Sequence, residues 1–177
     1  GSCDSPHTAQ AGRTKNLELA CKAIDGTILN PGEEFSFNGV VGERTKAKGY
    51  MAATVYLDGG KSEAQEGGGV CQVSTTLYNA VAKADLEVLE RSPHSRVSDY
   101  VPIGLDAAVN WPSQDFKFKN TSDYPIFIVA EFADQKLTFK IYGKQLDDGV
   151  YIKLKSEKTE TIAAPEGVKA LTDAHPD

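Results

Sequence analysis

Gly67-Gly68-Gly69-Val70-Cys71-Gln72-Val73-Ser74-Thr75-Thr76-Leu77-Tyr78 runs from a glycine turn straight into an apolar stripe. Val73, Leu77, Ala80, Val81 and Ala84 recur at helical spacing, which predicts a helix from about Cys71 to Ala84 with the cysteine in its first turn. Upstream, Leu17, Ala20, Cys21 and Ile24 mark a second helical face, with Thr14 as its N-cap and Gly26 as its C-terminal stop. Between the helices, Asn30-Pro31-Gly32 is a turn and Phe35 with Phe37 alternate as a short strand. Residues 38–50 read as a loop, and Ala52 to Leu57 as a strand closed by Asp58-Gly59-Gly60. Downstream the period changes to two. Leu86 to Leu89 leads into Ser92-Pro93-His94, Phe116 and Phe118 alternate with lysines, and Ile126–Phe132 and Leu137–Tyr142 flank a four-residue turn. Tyr151 to Leu154 alternates once more. Helices early and strands late predict an α+β domain, N-terminal helices on a mainly antiparallel sheet, rather than βαβ repeats. Residues 1–13 read as an irregular lead-in, 14–155 as one domain, and 156–177 as a linker or disordered tail.

Composition narrows the function. The 177 residues carry 19 Lys and Arg against 25 Asp and Glu, a formal charge of -6. A nucleic-acid partner wants a basic face, and anionic lipid wants a basic cluster; neither fits. No run approaches the roughly 18 apolar residues of a membrane span, so no direct membrane insertion is expected of this stretch, and any anchor would lie outside it. Three Cys and three His show no CxxC, HExxH or HxH spacing, so no structural metal site is expected, and a thioester route through a cysteine would need no metal or organic cofactor. Three thiols allow at most one disulfide, and Cys3–Cys21 is open as a pair.

A cysteine at a helix start meets exposed N–H groups and the positive end of the helix dipole, which together favour the thiolate. Gly68 and Gly69 would let a substrate backbone approach, and the N–H of Cys71 would serve as an oxyanion donor. The competing reading is a structural turn followed by an inert cysteine, and the residues alone divide evenly between the two. Cys21, on the apolar stripe, reads as a small core hydrophobe. A thiolate wants a base, and His94 is the one histidine within the body of the domain. A carboxylate would orient its ring: Asp106 at the start of an expected strand, with Asp99 as the rival. Gln72 and Ser74 beside the thiol, Arg96 as a carboxylate clamp and Tyr100 as a groove wall complete the candidate substrate-binding set, with pairing to Asp99 or Glu90 as the alternative for Arg96.

The runs Asn30-Pro31-Gly32-Glu33-Glu34-Phe35-Ser36-Phe37-Asn38 and Gly67 to Asn79 resemble the VanW family. So do Pro93-His94-Ser95-Arg96, Gly104-Leu105-Asp106-Ala107 and Asp115-Phe116-Lys117-Phe118-Lys119-Asn120. The resemblance covers roughly residues 14–142. It implies an extracytoplasmic, cell-envelope protein of bacteria. Some members of the family are thought to be L,D-transpeptidases, which would make Cys71 the nucleophile, His94 and Asp106 its partners, and peptidoglycan stem peptides the substrate. The alternative it leaves open is a non-catalytic peptidoglycan- or glycopeptide-binding module linked to vancomycin resistance.

Overall fold

A computed structural model describes residues 1–6, 10–56, 62–98, 100–160 and 162. Among these residues nine strands and three α-helices follow in the order β1 (Ser2–Pro6), α1 (Ala11–Ile24), β2 (Ile28–Leu29), β3 (Glu34–Ser36), α2 (Phe37–Val41), β4 (Ala52–Tyr56), β5 (Ser62–Glu66), α3 (Val70–Lys83), β6 (Glu87–Glu90), β7 (Lys117–Lys119), β8 (Ile126–Ala133) and β9 (Lys136–Tyr142). The architecture is α+β, and every strand pairing is antiparallel. A four-stranded sheet has the order β1-β9-β8-β2, a three-stranded sheet the order β3-β7-β6, and β4 pairs with β5 alone.

The alternation along β8 and β9 explains the main layer. Ile126, Ile128, Leu137, Phe139 and Ile141 are buried on one face, and α1 and α3 cover that face. Their apolar stripes supply Leu17, Ala20, Ile24, Val73, Leu77 and Ala80, all without exposure. Each large side chain so buried contributes roughly 1.5–3 kcal/mol. The β8–β9 turn carries Asp134 and Gln135 at φ of 51° and 56°, the left-handed pair that matches the twist of a two-residue hairpin. In the smaller sheet Phe35 stacks on Phe118 with centroids 4.9 Å apart, and Phe116 meets the ring of Tyr78 on α3 edge-on at 5.7 Å.

Five local expectations change. The lead-in is not irregular: Ser2–Pro6 forms β1 against β9, and Ser5 is bonded to Thr76 of α3 at 2.8 Å. Helix α1 starts at Ala11 with Gln10 at the N-cap position and no side-chain cap, so Thr14 lies inside the first turn. The 38–50 stretch holds α2, capped by Ser36 through Gly39 N–H, and a 3-10 turn at Lys46–Lys48. Tyr151 to Leu154 forms no strand and leaves Tyr151 79% exposed. The three cysteines are free thiols, so Cys3 and Cys21 do not pair. The turn expected at Asp58-Gly59-Gly60, and most of the expected tail, lie outside the described residues.

Candidate active site

The site is built on the polar face of α3. Asn79 Nδ2 donates to the Leu105 carbonyl at 2.7 Å. Four residues back, Thr75 Oγ1 accepts the Ala107 N–H at 2.9 Å, and the neighbouring Ser74 Oγ donates to the Ala107 carbonyl at 2.6 Å. Four residues further back, Cys71 Sγ lies between the Val109 N–H at 3.4 Å and its carbonyl at 3.3 Å. Helical positions 79, 75 and 71 thus meet extended-chain positions 105, 107 and 109. The match is geometric: four helical residues rise about 6 Å, and two extended residues span about 6.6 Å. Successive side chains of an extended segment point to opposite sides, so Asp106, between two rungs, faces away from the helix.

What it faces is His94. Ser92 bridges Ala108 in antiparallel fashion, which brings the 92–94 segment alongside. Asp106 Oδ2 accepts both the backbone N–H of His94 and its Nδ1 at 2.6 Å. Asp106 Oδ1 accepts Arg91 Nη2 at 2.9 Å, and Arg91 also donates to the Gly104 and Asp106 carbonyls. With Nδ1 fixed by the carboxylate, Nε2 is the nitrogen turned to other partners: Tyr100 OH stands 3.4 Å from it, and the Cys71 thiol lies near enough for ring and thiol to shift each other's pKa.

The electrostatics follow from these contacts. Burial pushes the Cys71 thiol up, but the His94 hydrogen bond, the Val109 N–H and the charges of His94 and Arg44 outweigh it and hold the pKa below the ordinary thiol value. Burial pushes His94 down, and its bonds to Cys71 and Asp106 outweigh that, so the imidazolium is favoured. Asp106 loses to burial and gains more from the His94 N–H groups, so its carboxyl titrates below the usual range. Cys21 has none of these partners. Burial and the charges of Asp25 and Glu18 push its thiol up to about 12.

The helix start completes the arrangement. Val70 and Gln72 N–H groups bond back to the Gly67 and Gly69 carbonyls at 3.2 and 2.9 Å. Gly69 is the N-cap at φ 97°, a conformation that L side chains rarely adopt. Its glycines are packed rather than open. A Cβ on Gly68 would fall 2.3 Å from the Ala53 carbonyl, and one on Gly69 would fall 2.7 Å from Arg13 Cγ. Neither glycine therefore presents room for a substrate backbone.

The other expected binding residues divide. Gln72 is 1% exposed; its Nε2 donates to Ser5 Oγ and the Pro6 carbonyl, and its Oε1 accepts Arg13. Ser74 is fully buried, and its hydroxyl serves the ladder to Ala107. Both are interior supports, closed to a ligand. Arg96 is exposed and lines a cleft of about 250 Å³ beside His94 and Asp106, with Val97, Pro102 and Ile103 as apolar wall. Tyr100 packs edge-on to the His94 ring, centroids 6.4 Å apart; burial and the nearby Cys71 push its hydroxyl up to about 12, so it stays protonated. Asp99 lies outside the described residues. Asp106 itself sits on an isolated bridge segment, not at the start of a regular strand. Sequence reasoning missed Arg91, Val109 and Arg44. No spacing marks them, because each acts through backbone groups or through a neighbour. Among the described residues no cluster of three or more His, Cys, Asp or Glu is placed to hold a metal ion, and no helix is long and apolar enough to cross a membrane.

Comparison with known proteins fits this arrangement into a family. The family described as "VanW like protein" matches residues 12–142. A Bacillus subtilis (strain 168) protein described as "Uncharacterized protein YoaR" is 42% identical over 140 residues, covering 79% of this chain and 46% of its own length. An Enterococcus faecalis (strain ATCC 700802 / V583) protein named "Vancomycin B-type resistance protein VanW" is 28% identical over 148 residues, covering 80% of this chain and 53% of its own. The chain thus spans about half the length of these curated relatives. No solved structure matches it. With the match running through the helix, the glycine turn, the histidine and the aspartate, the chain belongs to the VanW family.

Proposed function

We propose that this domain is a cysteine acyltransferase acting on peptidoglycan stem peptides outside the bacterial cytoplasm, in the manner of an L,D-transpeptidase. The observation that supports it most is the His94 ring, fixed at Nδ1 by Asp106 at 2.6 Å and near enough to Cys71, at a helix start, to lower its thiol pKa. In the first half-reaction the thiolate attacks the carbonyl carbon of the amide between an L-configured centre of the stem diamino acid and the terminal D-alanine. The sulfur–carbon bond forms, the carbon–nitrogen bond breaks, and the imidazolium gives its proton to the departing amine. The Cys71 N–H, on the dipole's positive end, faces the developing oxyanion. In the second half-reaction the imidazole takes a proton from an acceptor amine, which attacks the thioester and restores the thiolate. Water as acceptor makes the same site a carboxypeptidase. The chemistry as written uses no metal or organic cofactor. The cell-wall setting is carried over from the family and from the resistance named in the Enterococcus relative.

One observation favours a second reading, a non-catalytic module that binds peptidoglycan or a glycopeptide: Cys71 is not among the residues lining the cleft beside His94. Incubation with a D-alanine-terminated stem tetrapeptide, acid quench and mass spectrometry separates the two. A thioester on Cys71, absent in Cys71→Ala, is the expected result. Binding of the peptide with no adduct and no released D-alanine would establish the module instead.

A further inference from the structure

Arg44 approaches the start of α3 from the glycine turn: a Cβ on Gly67 would fall 2.6 Å from Arg44 Cβ and 2.9 Å from its Cγ. Its guanidinium is held still. Nη1 donates to Asn38 Oδ1 at 2.7 Å and to the Gly42 carbonyl at 3.2 Å, and the guanidinium carbon stands 5.5 Å from the centroid of the Phe37 ring. Asn38 is tied in turn. Its Nδ2 donates to the Gln114 carbonyl at 2.8 Å and the Asn110 carbonyl at 3.4 Å, and its backbone N–H goes to Asp115 Oδ1 at 2.8 Å. Asn110 follows Val109, whose backbone groups flank the Cys71 sulfur. The rigid path from the guanidinium therefore ends beside the thiol.

The remaining terminal nitrogen, Nη2, is buried and has no hydrogen-bond partner among the described residues. A buried charged N–H without an acceptor is costly and calls for an explanation. Burial lowers the Arg44 pKa, and the charges of Cys71, Tyr50 and Asp115 act against that lowering. Asp115 already accepts Ser36 Oγ and the N–H groups of Asn38 and Phe116. Tyr50 is buried, and burial raises its pKa, so it stays neutral. Cys71 is the group whose charge changes during the proposed chemistry.

We propose that Arg44 is a positioning residue of the thiol site, a fixed cation whose unpartnered N–H is reserved for the negative charge that appears at Cys71. The inference rests on the acyl-transfer reading for the attack step. Its first half, stabilisation of the ionised thiol, needs no substrate. Arg44 would act alongside His94 but without exchanging a proton, so it would hold charge at the site through a catalytic cycle in which His94 alternates between imidazolium and imidazole.

The test is the pH dependence of iodoacetamide alkylation at Cys71, read by peptide mapping, in the wild type, Arg44→Gln and Arg44→Lys, with the thermal midpoint of each. Loss of the charge should move the alkylation midpoint upward, by no more than about one pH unit, since His94 and Val109 act on the thiol more strongly than Arg44 does. Arg44→Lys should recover at least half of the shift. If Arg44→Gln does not fold, Asn38→Ala, which unhooks the guanidinium but keeps its charge, should give a smaller upward shift. An unmoved midpoint in whichever folded variant is measured overturns the proposal. An upward shift in Arg44→Gln together with no thioester from the stem peptide would sink the acyl-transfer reading and leave the charge-holding role standing.

Discussion

Asp106→Asn is the most informative single change, because its consequences follow from three hydrogen bonds. Oδ2 accepts two His94 donors and Oδ1 accepts Arg91. An asparagine keeps one oxygen and replaces the other with an NH₂ donor. Placed toward His94, its oxygen keeps those bonds and leaves NH₂ facing the Arg91 guanidinium. Placed toward Arg91, it leaves NH₂ facing the two His94 donors. Either way a partly buried donor goes unpaired, at a cost of about 1–3 kcal/mol. The counter-charge of the imidazolium is lost as well. The His94 pKa should then fall, the Cys71 pKa should rise, and the alkylation midpoint should move upward with it. General acid–base catalysis is worth roughly 10²–10⁴-fold, and turnover of a D-alanine-terminated stem peptide should drop within that range. The assays are urea denaturation, the alkylation profile and D-alanine release. Asp99→Asn, run in parallel, should change release by less than about tenfold, or 1.4 kcal/mol in barrier. An Asp106→Asn protein with wild-type stability and an unmoved alkylation profile would refute the argument, and the reverse ranking of the two variants would give the role to Asp99.

Three further outcomes follow from the same contacts. Iodoacetamide should label Cys71 before Cys21 below pH 8, since the Cys21 thiol is pushed up to about 12; faster labelling of Cys21 by peptide mapping would contradict the assignment. The depressed Asp106 carboxyl contributes stability that is present above its unfolded pKa, about 3.9, and lost as the pH falls through the lower folded value. The raised His94 contributes stability complete below about pH 6.5 and lost as the pH rises through its folded value. Urea midpoints of wild type and His94→Ala should therefore converge on the alkaline side and differ most between these limits. Phe118→Ala, which removes a fully buried ring stacked on Phe35, should cost about 3–5 kcal/mol of stability in urea, and a loss below ~1 kcal/mol would mean that the core there collapses to fill the space.

The parts legible in the sequence are those with a local period. The stripe Val73, Leu77, Ala80 and Val81 announces α3, and the alternation from Ile126 to Tyr142 announces the hairpin. Cys71, His94 and Asp106 are legible as residue types, and the structure brings their side chains together. What stayed hidden is non-local. Nothing in Ser2–Pro6 says that it joins the far edge of a sheet whose partner strand comes near the end of the domain. Gln72 and Ser74 look like groove residues beside a thiol. They are interior because the polar face of α3 is covered by β1 on one side and by the 105–109 segment on the other. The importance of Arg44 depends on which of its nitrogens finds a partner, and that no motif encodes.

The pairing of β1 with β9 sets an order of events during synthesis. Strand β1 leaves the ribosome before the helices and the other strands of the domain, yet its hydrogen-bonding partner, Lys136–Lys140, emerges only after them. Until then Ser5 and Pro6, which accept the Gln72 amide, have no sheet to hold them against α3. A nascent chain that ends before Lys136 thus lacks one wall of the helix that carries Cys71. Contacts of such long sequence separation form late, because the loop they close must first be ordered. The helix that carries Cys71 accordingly gains its β1 wall only once Lys136–Lys140 has been made.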